Sequence, residues 1–378
     1  MAIRAAKMVA LDSATLGKVS RDYWSKDVSE RDKARSFLAR LRRLGIFVAF
    51  SGHHVNELLR HGDEEEARDR LRFLRSIPLV AWLRSYDRNW FPGGILDLFL
   101  HELHAVAHGS ARNWRAIVDE VRVDLWQTGT GSEMLPEDDW CWATIRQEFA
   151  RLHEKEKYIA SIDRTDAGQC KDMKISEALR LSLRPKEERD AYVRWFVQEV
   201  QEQLHQHGDK RLDYSHEAAI SFANSIMQYV GVIDEMEGNL VQRIAEWGGV
   251  PYEFVSPKMT ISEFGELAVY ATRLKTLSRS LHPPRELTVR DVPPNSLPSY
   301  VSETRLASIQ RKADHVSGSD LGDDCITPLV LYTDAIGVDK RTCEFLRQIL
   351  RGEPELVALV GRFFRTIDYS QIPELLDE

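Results

Sequence analysis

Apolar positions follow two spacings along this chain, and the change from one to the other divides it. Residues 7–11 form a short apolar run, KMVAL, that ends at Asp12 and a turn. Ala34, Phe37, Leu38, Leu41 and Leu44 then recur at helical intervals, which predicts a helix capped by Ser29 and stopped by Gly45. IFVAFSG (46–52) predicts a second buried strand, and Ser51 is suited to cap the helix HHVNELLRH, which sets Glu57 about one turn in. An amphipathic helix over 64–76 leads to a third strand, IPLVAWL (77–83). Strand, helix, strand, helix, strand is the pattern of a parallel sheet with right-handed crossovers.

From residue 91 to 281 the spacing is almost wholly helical, with segments over 94–107, 111–126, 139–158, 186–206, 214–230, 234–247 and 262–281. HPPRELTVRDVPPNSLP (282–298) carries five prolines in 17 residues and reads as a connector. Helices near 303–315 and 321–333, the strand AIGV, a helix over 342–351 and a last element around 360–369 follow. The expectation is an α/β domain whose sheet draws on both chain ends, 1–90 and 300–378, interrupted by an all-α insertion with its Pro-rich connector over 91–299.

The composition, 43% hydrophobic and 29% charged, is that of a soluble globular protein over 378 residues. No apolar run nears the roughly 18 residues that span a bilayer, and the first residues lack a signal-peptide core. These readings predict a cytoplasmic protein without a membrane partner. Cys141, Cys170, Cys325 and Cys343 lie far apart with no CxxC pair, which argues against a cysteine-built zinc site and against a disulfide framework. A net charge of −8 argues against general nucleic-acid coating. Residues 31–90 run the other way, with 13 Lys and Arg against 8 Asp and Glu, a local +5. That excess reads either as a solvated helix face or as a local binding patch.

Against this background the acids at the ends of strands stand out. Asp12 ends the first strand, Asp339 ends AIGV, and Glu57 lies one turn into the helix after the second strand. In a parallel sheet the loops after the strands open on one carboxyl edge, so acids distant in sequence converge there. GSDLGDD adds Asp320, Asp323 and Asp324, with Asp320 and Asp324 four apart on one helical face. Such a cluster calls for a hard divalent cation, Mg²⁺ or Mn²⁺, which would activate water at a phosphodiester. Lys340 and Arg341, directly after Asp339, suit substrate phosphates. Each acid also has a plainer role: Asp12 as a turn residue or cap, Glu57 paired with Arg60, Asp323 and Asp324 facing a helix dipole, Asp339 as a helix cap.

The stretches VALDSATL, FVAFSGHHVNELLRH, GSDLGDDCITPLVLY and AIGVDKRT resemble the PIN-domain nucleases, over roughly 1–85 and 300–352. The resemblance implies a PIN-like parallel sheet and a metal-dependent site. Asp12 and Glu57 would be the first two ligands, Asp320 or Asp324 the third, and Asp339 the fourth. It further implies an endoribonuclease, with RNA favoured over DNA, in a toxin or antiviral setting, or else a catalytically inactive module that binds nucleic acid or protein. The helical insertion departs from the compact family pattern and leaves room for a homo-oligomer or regulatory partner.

Two other stretches compete. HELHAVAH (101–108) lacks any histidine pair with the zincin spacing and a Glu directly after the first. WLRSYDRNW (82–90) alternates aromatic and basic residues, as a single-strand contact or an edge segment would.

Overall fold

The computed structural model describes residues 7–86, 92–109, 113–135, 139–163, 171–178, 186–207, 217, 219–221, 240–311, 325–365 and 368–377. Its elements in order are β1 (Lys7–Leu11), α1 (Ser13–Tyr23), α2 (Val28–Leu44), β2 (Ile46–Phe50), α3 (Gly52–Leu59), α4 (Glu64–Ser76) and β3 (Val80–Leu83). Next come α5 (Ile95–His108), α6 (Trp114–Arg122), β4 (Trp126–Gly129), α7 (Gly131–Met134) and α8 (Asp139–Asp163). After them run α9 (Ile175–Ala178), α10 (Lys186–His207), α11 (Leu240–Trp247) and α12 (Ile261–Ser278). The chain closes with α13 (Pro298–Arg311), β5 (Ala335–Val338), α14 (Lys340–Gly352), α15 (Pro354–Val357), β6 (Arg362–Arg365) and α16 (Ile372–Asp377).

The six strands form one sheet in the order β4-β3-β2-β1-β5-β6, parallel except for β4. Alternation along each strand sends side chains to two separate cores. Val9, Leu11, Val48, Phe50, Val80 and Trp82 meet Leu16, Phe37, Leu58 and Leu74 of α1 to α4. Ala10, Ala49, Ala81, Ile336 and Val338 meet Leu98, Ile117, Leu306 and Leu346 of α5, α6, α13 and α14. Ala10, Ala49 and Ala81 are register partners across three strands, so one face carries a row of small residues while Leu11, Phe50 and Trp82 fill the other. The sheet is thus the middle layer of an α/β/α sandwich, and β5, more than 320 residues from β1 in sequence, is its direct neighbour.

Local signals explain most boundaries. The α2 helix begins at Asp27, whose side chain accepts from Ser29 N, so the cap lies two residues before the expected Ser29. It ends at Gly45 in the left-handed conformation (φ 65°), whose N–H reaches the Leu41 and Arg42 carbonyls. Three expected elements differ in detail. The segment 111–126 splits, with α6 ending at Arg122 and Trp126 opening an edge strand. Trp126 packs into the second core and donates Nε1–H to the Tyr332 carbonyl, a long-range contact that helical spacing does not report. Of the expected 321–333 helix, residues 321–324 lie outside the described ones, Cys325 and Ile326 are helical, and a buried 3₁₀ turn over Thr327–Leu331 that contains Pro328 follows. The last element, 360–369, supplies β6 and a 3₁₀ turn at Tyr369–Gln371.

The chain forms two compact units. The first holds the sheet and runs to His153, resuming at Asn295, so it extends past the limit at 90 expected from the sequence because α5, α6 and β4 complete the sandwich. The second, Glu154–Pro294 with Ala313–Gly318, is helical where described, with one isolated bridge between Lys174 and Thr260. Phe264, Ala271, Leu274 and Leu277 of α12 are buried within it, and Tyr270 donates its hydroxyl to the Val292 carbonyl. Among the described residues no helix is long and apolar enough to cross a membrane.

Candidate functional site

Strand order reverses between β1 and β5, where β1-β2-β3 wind one way and β5-β6 the other. Ligands of open α/β sheets sit outside the carboxyl ends of the strands at such a switch point. Asp12 follows β1 there, held by its N–H to the Gly337 carbonyl at 2.9 Å, and Asp339 follows β5. Both are helix N-caps: Asp12 Oδ1 accepts from Thr15 N at 2.7 Å, and Asp339 Oδ1 accepts from Thr342 N at 2.6 Å. Their capping role is therefore real and accounts for acids at two strand ends.

Capping does not exhaust Asp12. It is 9% exposed, and its pKa is raised, first by burial and then by the charges of Asp339 and Glu57, against the lowering bonds from Thr15. Asp339 is exposed. Three of the acids expected from the sequence thus share one electrostatic neighbourhood at the carboxyl edge. Asp320, Asp323 and Asp324 lie outside the described residues.

Glu57 differs from the other two. Burial alone would raise its pKa, but His53 and Arg60 hold it down at about 2, with Ser13 facing it short of hydrogen-bond geometry. Arg60 lies 3.1 Å away and His53 Nε2 at 3.5 Å, a charge contact too long and misaligned for a full hydrogen bond. For His53, burial would favour the neutral ring, but the facing Cys325 and the Glu57 carboxylate outweigh it and lift the pKa to about 10. Its neighbour His54 goes the other way, to about 4, through burial and the positive charge of His53. His54 Nδ1 accepts from Ser51 N at 3.0 Å, which fixes the first turn of α3 behind the site. His53 stands four residues before Glu57, a helical ion-pair spacing visible in the sequence; Cys325 has no such signal, because only folding brings it to α3.

Among the described residues, no three His, Cys, Asp or Glu side chains gather tightly enough to hold a metal ion. The charge pattern suits a cation, since Asp12 is desolvated beside two acids. The described donors alone do not complete a metal site. Lys340 opens α14 and is exposed, and the Arg341 guanidinium lies over the Phe345 ring at 5.3 Å.

No family model, curated protein or solved structure matches this chain.

Parts of both competing stretches have structural roles. Glu102 of HELHAVAH is fully buried and accepts from Ser299 N, Ser299 Oγ and Tyr332 Oη. In WLRSYDRNW, Trp82 is buried in β3, Arg84 pairs with Asp124 and Tyr86 Oη bonds His104. Its later residues, 87–90, lie outside the described ones.

Proposed function

We propose that this protein is a PIN-like, divalent-metal-dependent nuclease of the cytoplasm that cleaves phosphodiester bonds, with RNA as the preferred substrate. The observation that carries the reading is the pairing of Asp12 and Asp339 on adjacent parallel strands at the switch point, with Asp12 buried against the charge of Asp339 and Glu57. Repulsion among desolvated carboxylates is costly unless a cation relieves it. In this reading Mg²⁺ or Mn²⁺ is held by Asp12 and Asp339, with Glu57 and Asp320 or Asp324 as further donors. When bound, such an ion supplies Lewis-acid activation of water. The chain's own part is to orient the substrate: Lys340 and Arg341, in the first turn of α14, meet backbone phosphates beside the acids. The test is cleavage of matched RNA and DNA oligonucleotides with Mg²⁺, Mn²⁺ or EDTA, for the native chain and Asp12→Asn. Cleavage that persists unchanged in EDTA or in Asp12→Asn rejects the reading.

A second reading, a catalytically inactive PIN-like module that binds nucleic acid or protein, draws on Glu57. His53 and Arg60 already neutralise that carboxylate, as in a structural ion-pair network. Binding of RNA without cleavage under every metal condition would favour it.

A further inference from the structure

A second charged feature lies at the opposite edge of the sheet. An open cleft of about 510 Å³ is bordered by α2 and by the chain entering β3, and Arg35, Arg42 and Arg43 all line it. Arg42 and Arg43 lie just before β2, and Pro78 just before β3, so the cleft belongs to the amino edge. A five-residue strand separates it from the carboxyl edge by about 17 Å.

The α2 helix carries six cations, and their partners sort them. Lys33 pairs with Asp368, Arg40 pairs with Glu374, and Arg31 donates to the Ser25 carbonyl. Among the described residues no carboxylate lies within ion-pair distance of Arg35, Arg42 or Arg43, and these are the three that line the cleft. Arg35 lies over the Tyr23 ring at 5.5 Å. Arg42 and Arg43 also oppose the C-terminal dipole of α2, but that role requires neither a third cation nor a cavity between them. The rest of the wall is mostly apolar, from Tyr23, Leu38, Ala39 and Pro78, with Ser76 beside them, its hydroxyl donated to the Phe73 carbonyl. A cavity of this size falls within the range of small-ligand sites.

We propose that this cleft binds a nucleotide bearing two or more phosphates. Three guanidinium forks with no carboxylate partner among the described residues match a di- or triphosphate in charge and in acceptor geometry. The apolar wall supplies what inorganic phosphate would not use, a surface for the base and sugar. The cleft lies remote from the proposed catalytic edge, so the inference does not rest on the nuclease reading. Clustering of these arginines also accounts for part of the positive excess over residues 31–90.

The test is isothermal titration of the full-length chain with ATP and with GTP, in EDTA so that no divalent ion engages the opposite edge. Inorganic tripolyphosphate and a short RNA with hydroxyl ends are the comparison ligands. Saturable one-to-one binding of a nucleoside triphosphate is expected, weaker with rising salt. Arg42→Ala with Arg43→Ala should weaken it by on the order of 10-fold or more. Arg35→Ala alone should weaken it less, and the paired Lys substitutions should fall between. Circular dichroism and thermal melting should show the variants folded, as expected of exposed side chains. Absence of saturable binding at millimolar nucleotide overturns the proposal, as does binding undiminished in the folded arginine variants. Equal affinity for tripolyphosphate overturns the assignment to a nucleotide, and equal affinity for the hydroxyl-ended RNA overturns it in favour of a nucleic-acid groove.

Discussion

Asp12 and Asp339 stand at the ends of neighbouring parallel strands, and each accepts the backbone hydrogen bond that opens the helix after its strand. One arrangement thus serves two ends. It starts α1 and α14, and it brings two carboxylates into one electrostatic neighbourhood at the switch point. Substitutions that keep the cap and remove the charge separate these roles.

Asp339→Asn keeps the cap, because Asn accepts the same bond nearly as well. Stability in EDTA should stay within about 0.5 kcal/mol of the native chain by urea denaturation. Single-turnover RNA cleavage should fall by on the order of 10²-fold, the cost of removing one electrostatic stabiliser. Native cleavage rates in this variant at limiting Mg²⁺ would remove Asp339 from the site.

Metal should stabilise the fold if the acids hold it. Adding Mn²⁺ or Mg²⁺ should raise the melting temperature, by the equivalent of about 2.7 kcal/mol at one hundred times the dissociation constant. EDTA should reverse the shift, and Asp12→Asn should blunt it. A melting temperature that is flat through millimolar Mn²⁺ would leave the inactive-module reading in place.

Glu102 predicts a pH dependence unrelated to the site. Burial, opposed by the bonds from Tyr332 and Ser299, raises its pKa from 4.5 to about 7. A carboxyl with a raised folded-state pKa favours the protonated fold, so its contribution is full below the unfolded value near 4.5 and is lost as pH rises through about 7. Tyr332, its buried partner, is pushed well above its ordinary range, first by burial and then by the charge of Glu102, so it stays a neutral donor. The native chain should lose on the order of 3 kcal/mol relative to Glu102→Gln between pH 4.5 and 8. Gln should cost about 1–3 kcal/mol at low pH, since its amide group meets donors from Ser299 and Tyr332. Parallel stability curves for the two proteins would show that Glu102 does not titrate in this window.

Gly131 is a packing test of the β3–β4 edge. Its N–H donates to the Ile77 carbonyl, and an added Cβ would lie 1.9 Å from the Leu74 carbonyl oxygen. The obstacle is backbone, which cannot rotate aside. Gly131→Ala should cost about 2 kcal/mol or more in urea denaturation; an unchanged midpoint would contradict this close approach.

The sequence by itself determined the alternation of β1, α2, β2, α4 and β3, the strand AIGV, the stop at Gly45 and the acids at the strand ends. Each rests on periodicity or on a cap acting across a few residues, and such signals survive without knowledge of partners. Only the tertiary structure decided that Trp126 opens an antiparallel strand, that Arg362–Arg365 closes the far edge, and that β5 docks beside β1. Backbone pairing across hundreds of residues leaves no local spacing to read. The charges of the site were also a tertiary matter. Glu57 and Asp12 are both carboxylates in the sequence, yet one is held near 2 by His53 and Arg60 and the other is raised by burial beside like charges. Desolvation and neighbouring charge set those states, and both depend on what the finished fold packs around each oxygen.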